Sequence, residues 1–467
     1  MRLTAVIGAV ALVALQPTLA GRDERATRVE QALRGPNVIK GRAPRLHTLA
    51  ERMATLKVPG VSVAVVDDGR IAWARGYGDT GDGSRVTPET LFQAASLSKA
   101  VAAMVALRLV ELGRLSLDED VNARLTSWQV PPSAAAEGVP VTLRRLLSHT
   151  AGLTVSGFPG YAVDAPVPSL VQLLGGAAPA NTAPIRIDTK PGTTYRYSGG
   201  GYQVVQLLIE DVTRRPFAEV ARELVLDPLG MTHSTFQQPL TGPRLAGSAA
   251  GHDGDGAIIP GKRHTYPELT AAGLWTTPSD YAQVILEVQQ PRRVLRRATA
   301  DTMLTPVLDG YGLGFGVQET DGQASFSHGG SNRGFKCVVR GYRGRPRGAV
   351  VMTNSDNGSR LANEVMRAVA VEYDWPDFKP RERTVVTVPL DTLRTYEGRY
   401  TQDGLDAIIA IRGAELTISG PGQPVLTLLA TSSTEFFHET GAVPDVTFAK
   451  TADGRMQLAA GSRVAIR

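Results

Sequence analysis

The chain has 467 residues, of which 42% are hydrophobic and 20% charged, with a formal net charge of +5. Such a composition excludes a largely disordered chain and a fibre, and the 49 glycines follow no Gly-X-Y period, which excludes collagen. The charge is mild for this length and gives no reason to expect a nucleic-acid partner.

Arg2 is followed by the apolar run Leu3–Leu15 and by Thr18-Leu19-Ala20. This is the form of a secretory signal with a small-x-small cleavage site, and the run is too short to span a bilayer comfortably. Residues 1–20 are expected to be an export signal, the alternative being an anchor that stays attached. No later stretch reaches about 18 uninterrupted apolar residues, so the mature chain is expected to have no stable membrane span and to be periplasmic or secreted. Residues 21–43 are charged and unpatterned, and read as a loose leader. Leu46–Leu56 has helical apolar spacing. Val61–Val66 and Ile71–Ala74 flank Asp67-Asp68-Gly69-Arg70, which predicts a hairpin. Ser96–Leu112 predicts a long apolar helix. Further helices are predicted at Leu143–Ser148, Ser169–Leu174, Tyr202–Thr213, Phe217–Val225 and Ser279–Val288. The Gly-, Pro- and Ala-rich stretch 154–195 reads as a surface excursion able to form a lid. Strands are predicted at Gly314–Glu319, Ala324–Ser327, Phe335–Tyr342 and Gly348–Thr353, and a closing helix at Leu361–Glu372. The lone cysteine, Cys337, lies in one of these strands and reads as inert.

Strands at both ends of this region and helices in its middle imply one α+β domain over 44–373. Its antiparallel sheet is flanked by helices, with a helical subdomain inserted. Residues 374–389 carry three prolines and read as a linker. In 390–467 short strand-like runs recur between Gly and Asp, which predicts a small antiparallel β-barrel or sandwich.

Three motifs carry chemistry. Ser96-Leu97-Ser98-Lys99 puts Ser96 and Lys99 on one helix face, a turn apart. Only eight of the 50 basic residues are lysines. A lysine held against an apolar helix can lose its proton, as arginine cannot, and can then serve as base toward the serine. Ser98 points elsewhere and reads as a packing or capping residue. Tyr195-Arg196-Tyr197-Ser198 runs through Gly199-Gly200-Gly201 into a helix. In Ser327-His328-Gly329-Gly330-Ser331-Asn332-Arg333, a polar residue and two glycines at a strand edge leave backbone N–H groups able to face a bound carbonyl. His149 reads as structural. The histidines are scattered and no metal site or cofactor is expected. There is no G-x-S-x-G and no phosphate-binding loop.

These motifs, in this order, resemble the serine β-lactamase and penicillin-binding-protein superfamily, most closely the class C-related esterase and D-aminopeptidase branch. The stretches Leu147–Leu153 and Ala271–Asp280 add to the resemblance. Residues 390–467, with Tyr396-Glu397-Gly398-Arg399-Tyr400, look like the lipocalin-like domain often appended to such hydrolases. The resemblance implies an acylated nucleophile at Ser96, its partner at Lys99 and a proton-shuttling tyrosine at Tyr197. It also implies an oxyanion hole from the N–H groups of Ser96 and Ser331. His328-Gly329-Gly330 stands where the superfamily has Lys-Thr-Gly, and Gly199 where its Tyr-x-Asn motif has Asn. Both changes remove groups that hold a β-lactam or D,D-peptide substrate, with Arg333 as the candidate to compensate. The implied activity is hydrolysis of a small-molecule ester, peptide or β-lactam through an acyl-enzyme. The alternatives are a β-lactamase or D,D-peptidase proper, and a binding protein that keeps the fold.

Overall fold

The computed structural model describes residues 19–402, 405–461 and 463–467, with side chains from Glu24 onward. The expected export signal falls almost wholly on residues 1–18, outside the described residues. The segment read as a loose leader is instead folded. Leu19–Glu30 is a helix, and Ala26, Val29 and Leu33 are buried against Trp73, Val365 and Val369. Ala26 and Val29 lie on one face of the helix and Leu33 follows it in a bridge with His47, a sparse apolar pattern that the surrounding charges hide. Arg25 and Arg28 bond Glu372 across the junction. A short strand, Asn37–Ile39 (β1), continues the segment.

After the helix Leu49–Leu56, strands Gly60–Asp67 (β2) and Arg70–Gly78 (β3) form the expected hairpin. Asp68 and Gly69 take φ of +53° and +71°, as a two-residue turn matching strand twist requires. The short strands Phe92–Gln93 (β4) and Trp275–Thr276 (β5) pair with each other. The remaining main-sheet strands come from the C-terminal half: Gly316–Thr320 (β6), Gln323–Asn332 (β7), Phe335–Tyr342 (β8) and Gly348–Thr353 (β9). The order is β3-β2-β9-β8-β7-β6, antiparallel throughout, so β2 and β9 splice the two chain ends into one sheet.

Alternation along β2 loads both faces. Val61, Val63 and Val65 meet the helix Gly358–Glu372, while Ala64 and Val66 meet Ala282 of the helix Pro278–Gln289. The central helix Ser98–Glu111 is buried all round as far as Leu107, with Ala100 to Leu107 fully enclosed and only its last turn reaching the surface. An apolar helix without a polar face has no other stable place. Lys99 is carried into that interior at the helix's first turn.

The predicted linker also contributes structure: Arg381–Arg383 (β10) pairs in parallel with β1. Three-residue strands between prolines carry no readable periodicity. The C-terminal strands are Gly398–Gln402 (β11), Leu405–Arg412 (β12), Glu415–Ser419 (β13) and Leu426–Ala430 (β14). Glu435–Phe437 (β15), Val446–Lys450 (β16), Met456–Ala460 (β17) and Arg463–Ile466 (β18) complete them. They form a closed antiparallel barrel. Its core stacks Tyr396 on Phe448 at 4.2 Å, and the Tyr400 hydroxyl donates to the Tyr396 carbonyl. Closure removes exposed strand edges. Among the described residues no helix is long and apolar enough to cross a membrane.

Candidate active site

Ala95–Leu97 is a single 3-10 turn, and Ala95 sits at φ +48°. A left-handed alanine costs about 1–2 kcal/mol and persists only where its surroundings enforce it. Here the Ser98 hydroxyl donates to the Ala95 carbonyl at 2.6 Å and accepts from the Leu274 N–H at 3.0 Å. Ser98 thus pins the turn that presents Ser96. The α-helix proper begins at Ser98, two residues later than the sequence pattern predicts, and the one-turn spacing of Ser96 and Lys99 survives.

Lys99 Nζ lies 3.0 Å from Ser96 Oγ and donates to the Ala271 carbonyl at 2.8 Å. Its side chain is buried and no carboxylate pairs with it among the described residues. Burial without a counter-charge pulls the ammonium down to about 7. Tyr197 and Tyr202 present their rings to Nζ at 5.0 and 5.6 Å.

Tyr197 precedes the helix Gly199–Thr213, whose N-cap Ser198 accepts from the Gly201 N–H at 2.9 Å. The glycines here are steric necessities. A Cβ on Gly199 would lie 2.7 Å from Phe158, and one on Gly200 would lie 2.6 Å from the Thr154 carbonyl. The predicted 154–195 excursion therefore packs directly on the helix start, and Gly199 leaves no room for an asparagine. Burial pushes the Tyr197 phenol up to about 12, partly offset by its hydrogen bond with Ser96. His149, at φ +59°, accepts from the Ser198 N–H through Nδ1 at 3.1 Å and lies against the Tyr197 ring at 4.3 Å. It orients the tyrosine loop, and burial keeps it neutral.

On β7, Gly330 touches the nucleophile turn. A Cβ there would meet Cys337 Sγ at 2.3 Å and the Ala94 carbonyl at 2.5 Å. Gly329 has open space where its Cβ would stand. The β7–β8 hairpin closes on Asn332 and Phe335, so hydrogen-bonded pairs fall at 332, 330 and 328. The backbone groups of Ser331 and Gly329 then point away from β8. Strand β6 ends on that side opposite Ser327, which leaves this edge unpaired at Gly329 and Ser331.

His328 is buried, and its Nδ1 lies 2.6 Å from the Gly329 carbonyl, so Nδ1 carries the proton. Burial first, and Lys99 second, pull its imidazolium down to about 3. The histidine is neutral and supplies no cation. Arg333, the candidate to compensate, is turned to Asp356 at 3.2 Å, a carboxylate that also holds Lys336 at 2.7 Å.

Three groups around this constellation escaped the sequence reading. Tyr311 is buried against His149 at 4.9 Å, and its hydroxyl has no partner among the described residues. The Ala271 carbonyl anchors Lys99 from 172 residues away. Glu268 is fully buried with both oxygens unpartnered, and burial pushes its carboxyl up from 4.5 to about 8. A raised carboxyl holds its proton more tightly in the folded state. Its stabilising contribution is present below pH 4.5 and is lost as pH rises through 8. Glu268→Gln is therefore expected to gain on the wild type between those pH values, reaching ~3–5 kcal/mol above pH 8. Urea unfolding at pH 5 and pH 9 measures this, and an equal difference at both pH values would refute it.

A family profile described as Beta-lactamase matches residues 47–372. The curated relatives include Protein flp of Staphylococcus aureus (strain N315), 27% identical over 234 residues, which is 49% of this chain and 44% of that protein. The chain thus spans less than half the length of this relative. Unguisins hydrolase ungD of Aspergillus violaceofuscus is 24% identical over 450 residues, covering 77% of this chain and 74% of that protein. Among solved structures, an octameric penicillin-binding protein homologue from Pyrococcus abyssi superposes with a TM-score of 0.59 at 22% identity, covering 90% of this chain and 98% of that one. With its profile match over most of the chain, its antiparallel sheet and its buried Lys99 held against Ser96, the protein belongs to the β-lactamase family.

Proposed function

We propose that the chain is an exported serine hydrolase that cleaves esters or amides through an acyl-enzyme on Ser96. The observation that carries this reading is the 3.0 Å approach of Lys99 Nζ, buried and near-neutral in proton affinity, to Ser96 Oγ. Neutral Lys99 takes the Ser96 proton as Oγ adds to the substrate carbonyl carbon. The oxyanion lies against the N–H groups of Ser96 and of Ser331, on the unpaired edge of β7. As the tetrahedral intermediate collapses, the alcohol or amine leaves with a proton relayed through Tyr197. Water then adds to the acyl carbon, the acid departs and Ser96 regains its proton. Export is supported by the sequence pattern of residues 1–20.

A neutral His328, and an Arg333 engaged by Asp356, favour substrates without a carboxylate at that end of the site. A fluorophosphonate or a penicillin probe is expected to label Ser96 stoichiometrically, and Ser96→Ala to fold but stay unlabelled. Failure of both probes would remove the mechanism. On one preparation, a short-chain p-nitrophenyl ester or a D-amino-acid amide should turn over faster than a cephalosporin. The reverse order would defeat the argument from His328.

A further inference from the structure

A cleft of about 860 Å³ lies where the hydrolase domain, the connecting segment after Asp374 and the barrel meet. Its lining includes five basic side chains, Arg340, Arg367, Lys379, Arg381 and Arg383, against two carboxylates, Asp377 and Asp445. Both carboxylates are already engaged. Asp377 accepts from Arg340 Nε at 3.1 Å and from the Tyr342 hydroxyl, and Asp445 pairs with Arg383. Lys379 pairs with Asp374. Arg367 and Arg381 remain, neither with an ion-pair partner among the described residues. The acid one turn from Arg367, Glu364, is held by Arg52 at 2.6 and 2.8 Å and by Arg360 at 3.3 Å.

An aromatic ring sits among the cleft's arginines. Arg340 and Arg367 both address the ring of Phe378, at 5.2 and 5.7 Å. Phe378 is itself held at φ +62°, a conformation a bulky residue adopts only under constraint. Arg367 is half-buried, and desolvation works against its charge, offset in part by Glu364 and reinforced by Arg360. Strand alternation along β10 puts Arg381 and Arg383 on the cleft side and Glu382 on the other. Gln318 and Thr320 of β6 also line the cleft. At about 3.3 Å per residue, the cleft begins roughly 7–13 Å along that edge from the start of β6 beside the catalytic strand. It is therefore separate from the acylation site.

We propose that this cleft binds a multiply anionic small molecule, carboxylate- or phosphate-bearing, held by Arg367 and Arg381 over Phe378. Its walls come from both domains, so the ligand also clamps the barrel to the hydrolase domain. A guanidinium without a counter-ion is satisfied best by a charge-assisted pair with an oxyanion; Arg367, half-buried, and Arg381, exposed at the cleft's edge, together call for two negative charges.

The test uses the whole chain, with citrate and with pyrophosphate as probes, at ionic strength held constant with sodium chloride. A saturable rise in Tm and a single-site calorimetric isotherm are expected for at least one probe. A response to citrate alone identifies a polycarboxylate ligand, and to pyrophosphate alone a phosphorylated one. Arg367→Gln/Arg381→Gln is expected to weaken binding by about tenfold or more. Arg394→Gln, at an exposed arginine of the helix Leu390–Arg394, should leave it unchanged. Arg381 is exposed, so Arg381→Gln alone should fold in any case and weaken binding about threefold or more. No saturable response beyond chloride, or equal affinity in these Arg367 and Arg381 variants, would overturn the proposal.

Discussion

Replacing Lys99 by methionine is expected to lower kcat/KM on a p-nitrophenyl ester by about 10²–10⁴-fold, the range of a lost general base, while making the protein more stable. The two effects share one cause. Among the described residues Lys99 Nζ has a serine hydroxyl and a carbonyl as partners and no acid, so burial drives its proton off near pH 7. In the unfolded chain the same amine stays protonated up to about 10.4. Between those values the unfolded state binds more protons, so stability rises with pH. The cost of burying Lys99 is complete below pH 7 and vanishes above about 10.4. Methionine fills a similar volume without the amine, so Lys99→Met should gain most at or below pH 7, by ~3–5 kcal/mol. Wild-type kcat/KM should fall about tenfold per pH unit below 7 and level off above it. A flat profile from pH 5 to 9, or a Lys99→Met protein less stable than wild type at pH 6, would show that Lys99 is not the titrating base.

The second large effect is expected at Gly330. A Cβ there would stand 2.3 Å from Cys337 Sγ and 2.5 Å from the Ala94 carbonyl, and neither can move far, since both lie in the buried core. Gly330→Ala must push β7 away from the nucleophile turn. Overpacking of this kind costs about 1–3 kcal/mol. It also shifts the Ser331 N–H relative to Ser96, and loss of one oxyanion donor costs about 10²–10³ in kcat. Gly329→Ala is the control: its Cβ meets nothing within 4 Å in the folded chain, so stability should hold and only KM should change. Melting curves and kinetics on the two variants decide. Equal behaviour would mean that β7 does not press on Ser96.

Much of the fold could be read from local pattern. The β2–β3 hairpin announced itself through alternating valines around Asp68-Gly69, and the central helix through an apolar run with no polar face. The barrel was legible as short strands punctuated by Gly and Asp. The docked helix Leu19–Glu30 was not legible, because its buried Ala26 and Val29 are meaningful only beside Trp73 and Val365.

The candidate site divides in the same way. Sequence spacing by itself determined that Ser96 and Lys99 share a helix face and that glycines flank Tyr197 and follow His328, because those relations are set by backbone geometry over a few residues. Only the tertiary structure decided which charges are present. Lys99 is drawn down toward pH 7 because folding buries it, and among the described residues no acid stands beside it to hold its charge. His328 is uncharged because the assembled site excludes water around it, and Arg333 is engaged because Asp356 stands beside it. Proton affinity depends on solvent and on neighbours brought together by folding, and neither is written in the local sequence.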